Sequence, residues 1–142
     1  MVEFDREKGA IEMTFEENAM GLSKASLHFA EKVCKIENGE GAYVISYGTA
    51  EEPAEIVFPG TQLKTFASGE WTDDHTFLVK FDVVEEDFSP VFFEFGFSGE
   101  NAVSAHFKNT SEPEFLRKFS GFAGGVFKRK RKIWTNRKKM VR

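Results

Sequence analysis

An all-β domain, an antiparallel barrel of about nine strands with one short helix near the C-terminus, is the fold class this sequence predicts. Three observations carry the prediction. Apolar residues recur at period two, turn-forming residues separate the apolar runs at hairpin spacing, and 17 of 142 residues are Phe. Phe suits the pleated, half-buried surface of a sheet, and the length fits one domain with a core of its own.

The strands follow in order. A first one fits near Val2 to Asp5, ahead of the turn former Glu7-Lys8-Gly9. Ile11, Met13 and Phe15 then share a face opposite Glu12, Thr14 and Glu16. Weaker runs fit at Leu22 to Ala30, Tyr43 to Tyr47, Ala54 to Phe58 and Leu63 to Thr72, with Asn38-Gly39 and Pro59-Gly60 as turns. Phe77, Val79, Phe81 and Val83 form the clearest row, while Leu78 and Val84 fall on its other side. Past Ser89-Pro90 come Val91, Phe93, Phe95 and Phe97, and past Ser98-Gly99 come Val103, Ala105 and Phe107. A barrel or a sandwich accommodates this succession.

The helix rests on Ser111-Glu112-Pro113-Glu114, a capping-box spacing, followed by Phe115, Leu116 and Phe119 at helical intervals. It is expected from Glu112 to Phe119, stopped by Gly121, Gly124 and Gly125.

Charge divides the chain. Residues 128–142 hold nine Lys and Arg and no acid, whereas the remainder carries ten basic against 23 acidic residues, a net −13. The boundary is therefore drawn between a body, residues 1–127, and a basic tail, residues 128–142. Lys128, Arg129, Lys130, Arg131, Lys132, Arg137, Lys138 and Lys139 are the candidate anion-binding residues. If helical, the tail gathers Ile133 with Met140 and Trp134 with Val141, a pattern suited to an anionic membrane surface. The same charge attracts nucleic acid phosphates, with Trp134 available for stacking. A strap along the acidic body is the plainer expectation.

Several chemistries lack their motifs. No Ser-x-x-Lys, Gly-x-Ser-x-Gly, Walker loop or Gly-x-Gly-x-x-Gly is present, nor any paired-Cys or His-x-x-x-His zinc spacing. Neither a catalytic residue, a metal nor a cofactor is expected. His28 and His106 point outward by parity. Asp73-Asp74-His75 can orient a general base, but a turn between Trp71 and the strand from Thr76 is the simpler expectation. Glu85-Glu86-Asp87 reads as a solvated hairpin tip, without the glycine turn of a calcium loop. Cys34 stands between Lys32 and Lys35, which can activate a thiol; an inert thiol is the default. The lone Cys excludes an internal disulfide. With no apolar leader in Met1 to Lys8 and no apolar run near ~18 residues, a cytoplasmic location is expected.

The Phe rows leave two possibilities, a filled interior or a cavity for a small apolar ligand. Phe77, Phe81, Phe93, Phe95 and Phe97, with Trp71 at a strand end, are the candidate lining.

The run Gly69-Glu70-Trp71-Thr72-Asp73-Asp74-His75-Thr76-Phe77-Leu78-Val79-Lys80, then Phe93-Glu94-Phe95-Gly96-Phe97-Ser98-Gly99-Glu100-Asn101-Ala102-Val103, resembles a known accessory domain. That domain is the C-terminal, lipocalin-like β-barrel of bacterial serine β-lactamase-like hydrolases of the penicillin-binding class. The specific part of the likeness spans Gly69 to Val103, and the basic tail lies outside it. The resemblance implies a non-catalytic accessory or interaction domain, separately encoded or free-standing, with a serine hydrolase catalytic domain as partner. It implies no activity, because Ser-x-x-Lys and Tyr-x-Asn do not occur. A free-standing, lipocalin-like binder of a small apolar ligand is the alternative.

Overall fold

In the computed structural model, which describes residues 9–84, 90–109 and 120–130, strict inward-outward alternation runs along one strand after another. Ten strands are described: β1 (Ala10–Phe15), β2 (Lys24–His28), β3 (Val33–Asn38), β4 (Gly41–Ser46), β5 (Ala54–Val57), β6 (Lys64–Trp71), β7 (Thr76–Val83), β8 (Val91–Ser98), β9 (Ala102–Asn109) and β10 (Gly121–Lys130). No helix occurs among the described residues. In β8, for instance, Val91, Phe93, Phe95 and Phe97 are buried while Phe92, Glu94 and Gly96 are half-buried on the other face. Alternation of this kind needs one buried and one wetter face, which an antiparallel sheet supplies.

All the ladders are antiparallel, and the strand order is β4-β3-β2-β1-β10-β9-β8-β7-β6-β5. The outermost strands, β4 and β5, are consecutive in sequence, so the sheet curls into a nearly closed up-and-down barrel. Gly48, just past β4, bypasses the short β5 and bridges to β6. Its N–H donates to the Ala67 carbonyl at 2.9 Å, and its carbonyl accepts from Gly69 N–H at 2.9 Å. One end of the barrel therefore carries the β2–β3, β6–β7 and β8–β9 turns and the last residues of β10.

Two of the ten strands depart from the sequence expectation of about nine. β3 completes the β2–β3–β4 meander, with Cys34 and Ile36 inward and Lys35 and Glu37 outward. Only two apolar side chains, Cys34 and Ile36, mark its inner face, too few for a clear period-two row. The thiol is fully buried, and burial pushes its pKa up to about 12.

β10 is the larger correction. Gly121, Gly124 and Gly125 were expected to end a helix, and Lys128 to open a tail, yet all lie in the longest strand. Gly125 pairs with Phe15 and Val103, and a Cβ there would collide with the Thr14 carbonyl. The glycine permits close strand packing rather than breaking a helix. The 127/128 boundary thus falls inside β10, and Lys128, Arg129 and Lys130 belong to the sheet. The expected strand at Val2 to Asp5, the tip Glu85-Glu86-Asp87, the helix at Glu112 to Phe119 and residues 131–142 lie outside the described residues.

The core is one continuous cluster from β1 through β10. Phe58, Phe81, Phe93, Phe95 and Phe107 are its largest fully buried side chains.

Candidate functional site

Trp71 ends β6, and the chain reverses over Thr72 to His75 to enter β7. Asp73 organises this reversal: its Oδ1 accepts the His75 N–H at 2.7 Å, and Thr72 N–H donates to the Thr76 carbonyl at 2.9 Å. The His75 N–H also holds the Asp73 carboxyl below its ordinary pKa. Asp73 therefore shapes a turn through its bond to the His75 backbone N–H. Phe97 N–H donates to the His75 carbonyl at 2.8 Å, tying the turn to β8. Phe127 N–H donates to the Asn101 carbonyl at 2.8 Å, tying β10 to the β8–β9 turn.

These ties assemble a mouth at one end of the barrel. Ile11, Trp71, Phe97 and Phe127 form its apolar walls, Asp74, His75 and Arg129 its polar lining, and Gly99 stands at its edge. The space between these residues is about 180 Å³ and open to solvent at the barrel end. The Trp71 and Phe97 ring centroids are 6.0 Å apart, and Phe97 meets Phe127 edge-on at 4.9 Å. The Arg129 guanidinium lies 5.2 Å from the Phe127 ring centroid, within cation–π range. Phe77 and Phe29 back Trp71 at 5.3 and 5.5 Å. Gly69 has a specific purpose here. A Cβ would sit 2.6 Å from the Tyr47 ring, which packs 5.5 Å from Phe77.

The six candidate ligand-lining aromatics are thus divided. Trp71 and Phe97 line the mouth, and Phe77 supports it from behind. Phe81, Phe93 and Phe95 are deeper, 0% exposed, and packed with Phe58 and Phe107. Phe93 stacks on Phe107 at 3.9 Å with planes 10° apart, Phe81 meets Phe93 at 4.8 Å, and Phe95 meets Phe107 at 5.8 Å. Those rings fill space that a ligand would need.

The candidate anion-binding residues are divided by the same alternation. Lys128 pairs across from Glu12 on the outer face, while Arg129 pairs across from buried Ile11 and turns toward the mouth. Lys130 ends the strand, and Arg131, Lys132, Arg137, Lys138 and Lys139 lie outside the described residues. Phe127 is the mouth aromatic absent from the candidate lining, and Arg129, a candidate anion-binding residue of the tail, lines the mouth from β10. The signal was present: Ala123, Gly125 and Phe127 continue a period-two row into Arg129.

Other polar groups do not converge. A larger hollow of about 310 Å³ lies on the outer surface of β1–β3. Its charges face one another across the ladder, Lys24 opposite Glu37 and Lys35 beyond Ser26 from Glu12, so it is a self-complementary sheet face. There Ser26 Oγ lies 2.9 Å from His28 Nε2, and His28 has its pKa lowered, first by burial and then by Lys35. His106 is exposed, 6.0 Å from the Phe122 ring. Among the described residues no three His, Cys, Asp or Glu side chains gather as metal ligands.

No family model matches the chain, and neither a curated protein nor a solved structure matches it.

Proposed function

We propose that this protein is a non-catalytic binding barrel whose mouth at Trp71 takes a small, flat, apolar molecule. One observation carries the reading: three aromatic side chains and Ile11 wall a space of about 180 Å³ at the barrel end, with Asp74, His75 and Arg129 as its polar lining. Cavities of ~150 Å³ lined by apolar side chains hold a benzene ring, so the space suits a single ring. Apolar walls with a few placed polar groups are the usual composition of a small-molecule site. The deeper Phe cluster then serves as a rigid floor, which keeps the mouth open at low entropic cost.

The test is a titration with benzyl alcohol, followed by the Trp71 indole N–H resonance, which a Trp134→Phe variant distinguishes from the second tryptophan. A saturable shift at Trp71, weakened in Phe97→Ala, is expected. An unmoved Trp71 resonance at millimolar concentration would sink the proposal.

A second reading is that the chain packs beside a catalytic domain, as in the serine β-lactamase-like hydrolases it resembles. The outer face of β10 favours it, since Phe122 is 60% and Val126 52% exposed on the same face, either side of Gly124. Association with a serine hydrolase domain should then weaken in a Phe122→Ser, Val126→Ser variant. Failure of the unaltered chain to associate defeats this reading.

A further inference from the structure

No ladder joins the two outermost strands, β4 and β5, so a seam runs down one side of the barrel. Strand register fixes which backbone groups face it. Tyr47 N–H donates to the Lys32 carbonyl, which places Tyr43, Ile45 and Tyr47 in hydrogen-bonded pairs with the β3 side. The N–H and C=O groups of Ala42, Val44, Ser46 and Gly48 therefore point the other way, into the seam. Of these, Gly48 bonds to β6, at Ala67 and Gly69. Across the seam, Phe58 N–H donates to the Leu63 carbonyl, so Glu55 and Val57 turn their backbone groups toward β4. Among the described residues, the seam-facing groups of Ala42, Val44, Ser46, Glu55 and Val57 have no backbone partner.

The seam opens away from Gly48. Gly48 and Ala54 both meet β6 at Ala67, and from there β4 follows β3 while β5 follows β6. Side-chain burial follows the opening. Tyr43 and Ile56 point inward yet are only half-buried, whereas Ile45, nearer the closed end, is buried. On the outside, Val44 is 68% and Val57 54% exposed. Edge strands are ordinarily guarded by charge or proline. β4 has neither, and among the ten described strands it is the one without a charged side chain. Its uncharged run extends from Gly41 to Ala50 in a chain that is 30% charged.

We infer that the seam is a docking slot for one extended, uncharged segment of a partner protein, which adds to β4 as an antiparallel strand. The segment's backbone supplies partners for Ala42, Val44 and Ser46. Its alternate side chains fall on Tyr43 and Ile56 inside and between Val44 and Val57 outside. A charged side chain there would lose water without gaining an ion pair from β4, which selects apolar or hydroxyl-bearing residues. The slot suits a single strand. The β4 of a second copy would bring its own β3 and barrel wall against β5. None of these residues lines the mouth, so the inference stands apart from the binding reading above.

Backbone amide hydrogen exchange, followed by NMR on the full chain, tests this with a capped heptapeptide of alternating Thr and Val. Without peptide, the Ala42, Val44 and Ser46 amides should exchange at least roughly tenfold faster than those of Tyr43 and Ile45. Peptide at about ten times its Kd should slow those exposed amides about tenfold, as mass action requires. A peptide with Pro at its central position should have no effect, because it lacks the pairing N–H. Val44→Pro deletes a seam-facing N–H and no bond to β3, and should weaken the peptide roughly tenfold. If that variant unfolds, the proline peptide makes the same test from the other side. Seam amides already slow without peptide, no slowing with it, equal binding of the proline peptide, or slowing that rises with protein concentration alone overturns the inference.

Discussion

The barrel contains two aromatic groups of similar composition and different character. In the deep group, Phe58, Phe81, Phe93, Phe95 and Phe107 are almost wholly enclosed and meet chiefly one another. In the mouth group, Trp71, Phe97 and Phe127 keep one side against the core and turn the other toward Asp74, His75 and Arg129. Ring-to-ring spacing does not separate them, since centroids stand 4.9 to 6.0 Å apart in the mouth and 3.9 to 5.8 Å apart below. What separates them is the company of polar groups. Aromatic residues hold a barrel together when they close on themselves, and offer a site when one face is left to groups that can orient a guest.

That contrast breaks most readily in the deep group. Phe93→Ala should cost about 3–5 kcal/mol, the range for truncating an enclosed Phe. Phe97→Ala should cost less, because its cavity already adjoins solvent. Urea denaturation of the two variants checks the order, and equal losses would mean that the mouth is as structural as the floor.

Alkaline pH probes the dry interior next. Cys34 has its folded pKa raised by burial from 9.0 to about 12, and burial also raises that of Tyr47 above its ordinary 10.0. Below pH 9 both groups are protonated folded and unfolded, so their contribution is fully present. Above it the unfolded thiol ionises while the buried one does not, and stability falls as pH rises toward the folded value. The slope is about 1.4 kcal/mol per pH unit for one such group. Cys34→Ala should remove the decline between pH 9 and 10, before the unfolded Tyr47 begins to contribute. Denaturant midpoints across that interval measure it.

The smallest effect belongs to the outer surface. Lys108 Nζ lies 3.0 Å from Glu94 Oε1 across the β8–β9 ladder, with both side chains partly exposed. Lys108→Ala should shift stability by less than ~1 kcal/mol, and less at high salt, as exposed pairs do. Thermal melts at low and high ionic strength suffice.

How far the sequence could be read depended on what each strand buries. β7 and β8 were legible because four large apolar residues alternate in each against polar or small ones. β10 was not, because its inner row is Gly121, Ala123, Gly125, Phe127 and Arg129, which offers little hydrophobic contrast. Its glycines answer to close-packed backbones of β1, a requirement invisible without the partner strand. The site divides in the same way. Trp71 and Phe97 stood out in sequence within the Phe-rich strand rows, while Phe127 lay in a strand with little hydrophobic contrast and Arg129 was assigned to a basic tail rather than to that strand.

Local pattern by itself determined that this chain makes antiparallel strands, where most of them run, and that Asp73 and Asp74 sit in a turn. Those features depend on neighbours a few residues apart, through pleat geometry and turn chemistry. Only the tertiary structure decided that β1 closes onto β10, which of the aromatics form the floor and which the mouth, and that Arg129 joins them. Those outcomes depend on register between residues more than a hundred positions apart, such as Ile11 and Arg129. Pairing register fixes which side chains share a face, and no local preference encodes it.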